Sequence, residues 1–331
     1  MRCFLDEAID INRRTALSIL ATLALYLPIS SASVAASDID CSFKQLTKRI
    51  YVIVGSDHAT CPTDEARHPL TNPSVIVGET GVIVVDPGSS LQVGRLVLER
   101  LKRITNKPVV AVFNTHIHGL YWLGNQAIKE RFPNARIYAH KRMIERVESG
   151  EGSFWVNAIT GKLPGEKTQY VVPDVPLSGG EVKVISGVTF KLHHPGRAHT
   201  DHDIMIEVPE ERTLFLGGVV VEPEVPSQGV PQDAEFKGQI AATRLAISLA
   251  ADKYVPGRGH FGGVELPKRG LRFLDALYGG VTRYYKDGLS DFEITERLKV
   301  DLAAHKQWYD FDKLGGVISQ MYLQIESADF Q

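Results

Sequence analysis

The order of the predicted elements constrains the fold most strongly, because short strands followed by helices occur twice in succession. Runs with the length and composition of strands lie at residues 49–55, 74–78, 81–86 and 108–114. Residues 90–105 have helical periodicity, and two strand hairpins follow between residues 181 and 221. Because sheets and helices must both bury an apolar face, this succession predicts an α+β fold, a four-layer αββα sandwich of two mixed β-sheets flanked by helices.

The C-terminal part of the chain has helical patterns. Ser290 and Glu293 form a predicted capping box at the start of one of them. The predicted helices lie at 267–287, 290–304 and 311–326, after an earlier helix at 235–251 and a short strand at 253–257. We find no repeat, low-complexity segment or linker, so residues 37–331 are predicted to form a single domain with a C-terminal helical extension from about residue 267.

Residues 1–36 have the organisation of an export signal. Arg13 and Arg14 precede an apolar run, and small residues follow up to Ala35 and Ala36, where we predict cleavage. The run is shorter than the roughly 20 residues that cross a bilayer, so we expect no membrane span after cleavage. The predicted location is periplasmic or secreted, and an uncleaved anchor is the alternative.

Export determines how the cysteines are interpreted. Cys3 would leave with the signal, and Cys41 and Cys61 would remain. An even pair in an oxidising compartment predicts a disulfide, with two buried thiols as the alternative. Neither cysteine has the basic surroundings of a catalytic thiol.

Composition limits the kinds of partner. The chain has 331 residues, 23% of them charged, and a formal net charge of −2 with both signs mixed. The absence of a basic stripe with interleaved aromatics excludes a nucleic-acid partner. We expect a small-molecule substrate, and the sequence leaves the oligomeric state open.

Histidines follow predicted strand ends in two distant segments. His116 and His118 come directly after the strand at 108–114, at a spacing that suits two imidazole ligands of one metal. His199 lies in GRAHTDHD, at residues 196–203. Because loops at one end of a β-sandwich meet, we expect these histidines to converge.

The ordered set of motifs resembles the metallo-β-lactamase superfamily, from about residue 45 to 265. That family's first motif reads His-x-His-x-Asp-His, and residues 116–121 read His-Ile-His-Gly-Leu-Tyr. VVDPG at 84–88 and GRAHTDHD at 196–203 resemble the family's strand-end aspartate and third-histidine motifs. The resemblance implies an αββα sandwich in which His116, His118 and His199 hold zinc.

The resemblance fails at the ligands of the family's second metal. Leu120 and Tyr121 replace an aspartate and a histidine, and Gly218 replaces a bridging aspartate. The family's Pro-Gly-His-Gly is Pro-Gly-Arg-Gly at 256–259, and His260 could be a metal ligand only if its loop reshapes. We therefore expect one zinc per chain, with an open position for a water of lowered pKa.

The missing first-motif aspartate would otherwise orient the attacking water. Asp201, His202 and Tyr121 are the nearest candidates in sequence for this catalytic role. Arg258 and Trp155 are predicted to bind substrate, Arg258 because its guanidinium suits a carboxylate or phosphate.

The remaining polar residues are predicted to be structural. Asp86 is expected to bond loop amides rather than a metal, and His193 and His194 to end a strand. His140 is predicted to lie at the surface. Residues 152–177 lack sustained periodicity and are expected to form a flap or a surface excursion.

Three functions agree with these observations. The first is an exported, single-zinc hydrolase whose metal-activated water attacks an ester, amide or thioester. The second is a catalytically impaired pseudoenzyme of the same fold that binds a small ligand or a protein. The third is a two-metal enzyme with a second site rebuilt from His260, His202 and Asp201.

Overall fold

The first block of strands forms one mixed sheet. The computed structural model describes residues 41–55, 71–161, 166–226 and 233–329. Within them, seven strands lie side by side in chain order: β1 (Lys44–Gln45), β2 (Ile50–Val52), β3 (Ser74–Val77), β4 (Val82–Val85), β5 (Val109–Phe113), β6 (Arg136–His140) and β7 (Val175–Leu177). Strands β1 to β4 pair antiparallel and β4 to β7 pair parallel.

The second block forms a second mixed sheet. In the described part of the chain it contains β8 (Val182–Ile185), β9 (Val188–His193), β10 (Met205–Val208), β11 (Thr213–Gly217) and β12 (Lys253–Pro256). The spatial order is β12-β11-β10-β9-β8, and the β11–β12 pair alone is parallel.

Helices cover both outer faces. They are α1 (Leu91–Leu101), α2 (Gly119–Trp122), α3 (Asn125–Arg131), α4 (Lys141–Arg146), α5 (Gly152–Thr160), α6 (Phe236–Ser248), α7 (Glu265–Lys286), α8 (Asp291–Asp301) and α9 (Leu314–Asp329). Leu101 of α1 and Ile128 of α3 pack on Val84 of the first sheet. Ala242 and Ala246 of α6 pack on the second sheet.

The main core lies between the two sheets. Phe113 of the first sheet meets Phe190 of the second, with ring centroids 5.1 Å apart. Buried Ile and Val side chains of both sheets surround this contact, and Phe215 belongs to the same cluster. Burial of this apolar surface drives the sheets together, with roughly 25 cal/mol gained per Å² removed from water. The predicted αββα sandwich is confirmed.

The C-terminal helices have an apolar cluster of their own. Phe273 and Leu277 of α7 pack with Leu298 of α8 and Ile318 of α9. The predicted capping box is present, with Ser290 and Glu293 bonded reciprocally at the start of α8. None of the helices in the described residues has both the length and the apolar character needed to cross a bilayer.

Residues 152–177 differ from the irregular segment that we expected. They contain α5 and β7, and a kinked turn, Val147–Glu151, joins α4 to α5. Gly150 has φ 113° in this turn, a conformation that glycine adopts without strain. Trp155 and partly buried Ile159 pack in an apolar cluster with Trp122. Tertiary burial, rather than local periodicity, therefore makes this helix.

Two predictions concern the N-terminal region. Residues 1–40, including the predicted signal and Cys3, lie outside the described residues, as does Cys61. Cys41 is buried and disulfide-bonded. Its predicted pairing with Cys61 stays a prediction.

Candidate metal centre

The loop after β5 carries the first two histidines, and hydrogen bonds to Asp86 hold it in place. Asp86 follows β4 and accepts hydrogen bonds from the Thr115 amide, at 2.9 Å, and from the Thr115 hydroxyl, at 2.8 Å. Burial raises the pKa of Asp86 to about 7, although the two bonds from Thr115 oppose this. The predicted structural role of Asp86 is confirmed.

Nδ1 of His116 is hydrogen-bonded to Thr115. The Thr115 hydroxyl gives its only hydrogen to Asp86, so it accepts the Nδ1–H of His116 across 2.9 Å. The Nε2 atom of His116 therefore carries a lone pair. This atom is buried and has no hydrogen-bond partner among the described residues.

His118 is held through its other ring nitrogen, Nε2. Its Nε2 lies 3.1 Å from Asp233 Oδ2. Burial would raise the pKa of Asp233, but the bond to His118 and the charge of Arg146 lower it below its ordinary value. An ionised carboxylate only accepts, so Nε2 of His118 carries the hydrogen and Nδ1 faces the site.

The third histidine completes the group. Nε2 of His199 lies 2.9 Å from Nδ1 of His118. One donor nitrogen of each of His116, His118 and His199 lies within 4.8 Å of the others, and all three residues are buried. Within the described residues, these three alone form a group of potential metal ligands.

The protonation of this group suits a metal. Burial lowers the pKa of His116 and of His199 well below the ordinary value, so both rings are neutral. Metals bind neutral imidazole, and a hydrogen bond to the ring nitrogen that does not bind the metal orients such a ligand. The unpartnered Nε2 of His116, and the bonds that hold Nδ1 of His116 and Nε2 of His118, therefore fit a metal. Three imidazoles with an open position are a donor set that zinc accepts.

Tyr121 and Gly218, at positions where the family has ligands of a second metal, both lie beside the histidines. The Tyr121 ring is buried with its centroid 4.3 Å from that of His116. Burial raises the pKa of its phenol well above the ordinary value, although the nearby Arg258 opposes this. A Cβ on Gly218 would lie 2.1 Å from Cδ2 of His199, so the histidine ring occupies the space that a larger residue would need.

Arg258 adds a fixed cation beside the histidines. One of its Nη atoms donates to Glu224 Oε1 at 3.0 Å, and the side chain is 20% exposed. Its charge contributes to the lowered pKa of both His116 and His199. The guanidinium is thus turned toward Glu224 and the histidine group rather than into solvent. Its Nε is buried without a hydrogen-bond partner in the described part of the chain.

The structure does not bring His260 to the metal group, so its predicted role as a ligand is corrected. Its side chain is exposed. The backbone explains this, because Arg258 O accepts from the Glu222 amide at 3.2 Å and Gly259, at φ 90°, packs on the Glu222 carbonyl. This register turns Arg258 inward and the residue two positions later outward.

Asp201 and His202, the predicted bases, are both used in loop support. The Ile117 amide donates to Nε2 of His202 at 3.2 Å, so Nδ1 carries the hydrogen and donates to Asp201 at 2.7 Å. Arg142 also contacts Asp201, at 3.2 Å. Both nitrogens of the imidazole are occupied, and burial lowers its pKa. Their contacts therefore support a positioning role and not that of a base.

Trp155 lies beside the histidines as the substrate-binding prediction requires. Its ring centroid is 5.0 Å from that of His118, and the residue is 7% exposed. Its Nε1 is buried without a partner among the described residues. Phe154 is 54% exposed and packs edge-on against it.

The other histidines lie outside the metal group. His140, predicted at the surface, is instead buried and stacks on His194 at 4.4 Å, because its Nδ1 caps α4 by accepting from the Arg142 amide. Burial lowers the pKa of His140 to about 4. His193 at the end of β9 bonds Glu207 at 2.8 Å.

Sequence reasoning did not identify three residues that hold the site. Thr115 adjoins the first histidine and could have been recognised from its position. Asp233 contacts a histidine 115 positions away, and Arg146 lies on a helix outside the motifs. No sequence signal connects these two residues with the histidines.

Comparison with known proteins identifies the family. The profile of the metallo-beta-lactamase superfamily matches residues 68–258. The chain belongs to the metallo-β-lactamase superfamily. Its relatives include hydrolases, so the chain belongs to a family of metal-dependent hydrolases.

The curated relatives match this chain over part of their length. It is 31% identical over 193 residues to the 2,4-dinitroanisole O-demethylase subunit alpha of Nocardioides sp. (strain JS1661), covering 56% of this chain and 51% of that protein. It is 24% identical over 262 residues to the linear primary-alkylsulfatase of Pseudomonas sp. (strain ATCC 19151), covering 68% and 49%. The chain thus spans about half the length of these relatives.

Solved structures show the same fold. A metallo-beta-lactamase from Pontibacter korlensis superposes with a TM-score of 0.57 at 17% identity, covering 71% of this chain and 98% of that one. The sec-alkylsulfatase Pisa1 from Pseudomonas sp. superposes with a TM-score of 0.65 at 15% identity, covering 86% and 50%.

Proposed function

We propose that this protein is a single-zinc hydrolase that cleaves an ester, amide or thioester bond of a small molecule. One observation carries the proposal: three histidine nitrogens converge, and that of His116 is buried without a hydrogen-bond partner in the described residues. His118 and His116 are held in the required tautomers by Asp233 and Thr115.

Zinc bound by three imidazoles supplies a water whose pKa is lowered toward 7, and so a nucleophile at neutral pH. The protein's own groups support a single ion. Tyr121 fills the neighbouring volume, Gly218 provides no carboxylate, and Arg258 places a positive charge there that would repel a second dication.

The substrate side is formed by groups that donate hydrogen bonds. We propose that the Nε–H of Arg258 and the Nε1–H of Trp155 bind polar oxygens of the substrate, because both are buried without partners in the described residues. Tyr121 keeps its hydrogen at neutral pH because its pKa is raised, so we assign it a donor role and not the role of a base.

The names of relatives suggest which bonds to test first. One is a linear primary-alkylsulfatase, and another, 33% identical over 135 residues, is the hydroxyacylglutathione hydrolase of Synechococcus sp. (strain JA-2-3B'a(2-13)). We therefore include an alkyl sulfate ester and an acyl thioester beside a neutral carboxylic ester and a β-lactam.

Metal analysis and turnover of the purified protein test the proposal. We expect about one zinc per chain and hydrolysis of at least one substrate class, with both lost in His116→Ala. His260→Ala is the matched control, because it removes an exposed histidine outside the group. Two zinc ions per chain, or equal turnover in wild type and His116→Ala, would contradict the proposal.

A non-catalytic binding module is the second candidate. Leu120 stands where the family has an aspartate, and the carboxylates of Asp201 and Asp233 are engaged by histidines. One bound zinc without turnover of any substrate would favour this function.

We also propose export to the periplasm or the outside of the cell. Arg13, Arg14 and the apolar run that follows support this, as does the disulfide of Cys41. Cell fractionation and mass measurement of the N-terminus test it, with cleavage expected after Ala35 or Ala36.

A further inference from the structure

Arg146, at the end of α4, joins three carboxylates behind the histidine group. Its Nε and one Nη donate to both oxygens of Glu151, at 2.6 and 2.8 Å. The same side chain lies 2.8 Å from Asp233 and 3.6 Å from Asp201. Planar guanidinium groups suit such multiple contacts, which the point charge of a lysine does not reproduce.

One arm of this network ends on a candidate metal ligand. Arg146 contacts Oδ1 of Asp233, and Oδ2 of the same carboxylate accepts from Nε2 of His118. The backbone carbonyl of Asp233 also accepts from Arg197, at 3.3 Å. The carboxylate is therefore fixed between a cation and the imidazole, and this leaves Nδ1 of His118 as the nitrogen that faces His199.

The other arm ends on the backbone between the first two histidines. Oδ1 of Asp201 faces Arg146 and accepts from Nδ1 of His202. Nε2 of His202 accepts from the amide of Ile117, which lies between His116 and His118. Arg146 is thus linked to the ring of His118 through Asp233, and to the loop backbone at Ile117 through Asp201 and His202.

The local backbone places Arg146 for this task. The turn Val147–Glu151 brings Glu151, five residues after Arg146, into contact with the Arg146 guanidinium. The side chain is 24% exposed, so its ion pairs are partly shielded from solvent.

We propose that Arg146 is a positioning residue that sets the tautomer of His118 and the path of the His116–His118 loop, and thereby the affinity of the site for zinc. This inference rests on the proposed single-metal function. Removing a group that orients a metal-binding histidine lowers metal affinity by about 10- to 100-fold.

The test compares Arg146→Met with Arg95→Met. Arg95 is a matched control, because it also bonds two carboxylates, Glu130 and Glu166, but lies on α1 away from the histidines. We expect the zinc affinity, measured by competition with a chromogenic chelator, to fall about 10- to 100-fold in Arg146→Met and less than about twofold in Arg95→Met. Equal affinities in wild type and Arg146→Met would overturn the inference.

A second readout needs no metal. In the metal-free wild type, ¹⁵N chemical shifts of His118 should show hydrogen on Nε2 and none on Nδ1. In Arg146→Met we expect mixed tautomers, and an unchanged single tautomer would overturn the inference. If the wild type binds no zinc, the proposed function fails, and this readout still decides the role of Arg146.

Asp233→Asn provides the same readouts if Arg146→Met does not fold, because it preserves the side-chain size. Where both fold, the double variant should lose less zinc affinity than the sum of the two single losses, since both changes break the arm through Asp233. Fully additive losses would contradict the network.

Discussion

The histidine group and the adjoining volume filled by Tyr121, Gly218 and Arg258 are two halves of one site with opposite chemistry. In the first half, neutral imidazoles converge and a buried lone pair faces inward. In the second, an aromatic ring, a glycine and a guanidinium occupy the space. The two halves therefore differ in chemistry, because one offers nitrogen lone pairs to a metal and the other places an aromatic ring and a positive charge beside them.

Each half also depends on a different kind of support. His116 and His118 are held by the hydrogen bonds that they donate to Thr115 and Asp233. The second half is held by burial of Tyr121 and by the Arg258–Glu224 ion pair. Changes at the histidines, or at Gly218 against the His199 ring, should therefore affect metal binding, and the loss of the Arg258–Glu224 pair should affect mainly stability.

The largest effect is expected from restoring the family's carboxylate with Gly218→Asp. A Cβ at this position overlaps the His199 ring, so we expect zinc affinity to fall by about 100-fold, with no second ion gained. Zinc titration of the purified variant measures this. Gly279→Asp is the matched control, because a Cβ at Gly279 meets nothing within 4 Å. Two zinc ions bound by Gly218→Asp would contradict the expectation that this half of the site cannot hold a metal.

The next effect is on stability, through Arg258→Met. Removing the guanidinium leaves the buried Glu224 carboxylate without its ion pair, so we expect a loss of about 3 kcal/mol in the free energy of unfolding. Urea denaturation of the metal-free protein measures it. Arg244→Met removes an exposed pair with Asp275 and should cost less than about 1 kcal/mol. Equal losses in the two variants would show that Arg258 is not part of a buried group.

The smallest effect is the pH dependence of stability caused by His140, a buried histidine outside the metal group. His140 has its pKa lowered to about 4 by burial, below its unfolded value, so its neutral form stabilises the fold above about pH 6.5. As pH falls from 6.5 toward 4, the unfolded chain takes up the proton first and stability is progressively lost.

His140→Asn keeps a cap for α4 and removes this titration. Its free energy of unfolding should therefore vary less between pH 6.5 and 4, while its zinc content stays that of the wild type. An unchanged pH profile, or a loss of zinc, would contradict a role of His140 that is separate from that of the metal group.

The sequence predicted the sandwich because β-branched runs and helical periodicity are local signals. It also predicted that His116, His118 and His199 meet, since each follows a strand end. It did not predict that His260 faces solvent, because the Glu222–Arg258 backbone bond sets that register across 36 residues.

The supporting residues escaped prediction for a physical reason. Asp233 and Arg146 act through contacts between elements distant in the chain, and neither belongs to a periodic pattern. Asp201 and His202 were in the right segment, but their roles depend on which atoms they face. Helix α5 formed where local patterns were weak, since Trp155 is buried by tertiary packing.

Anomalous diffraction at the zinc edge, from crystals of the protein exposed to excess zinc, tests the two-half account most directly. We predict one peak, about 2.0–2.1 Å from Nε2 of His116, Nδ1 of His118 and Nε2 of His199. A second peak between Tyr121 and Arg258, or no peak at the histidines, would contradict it.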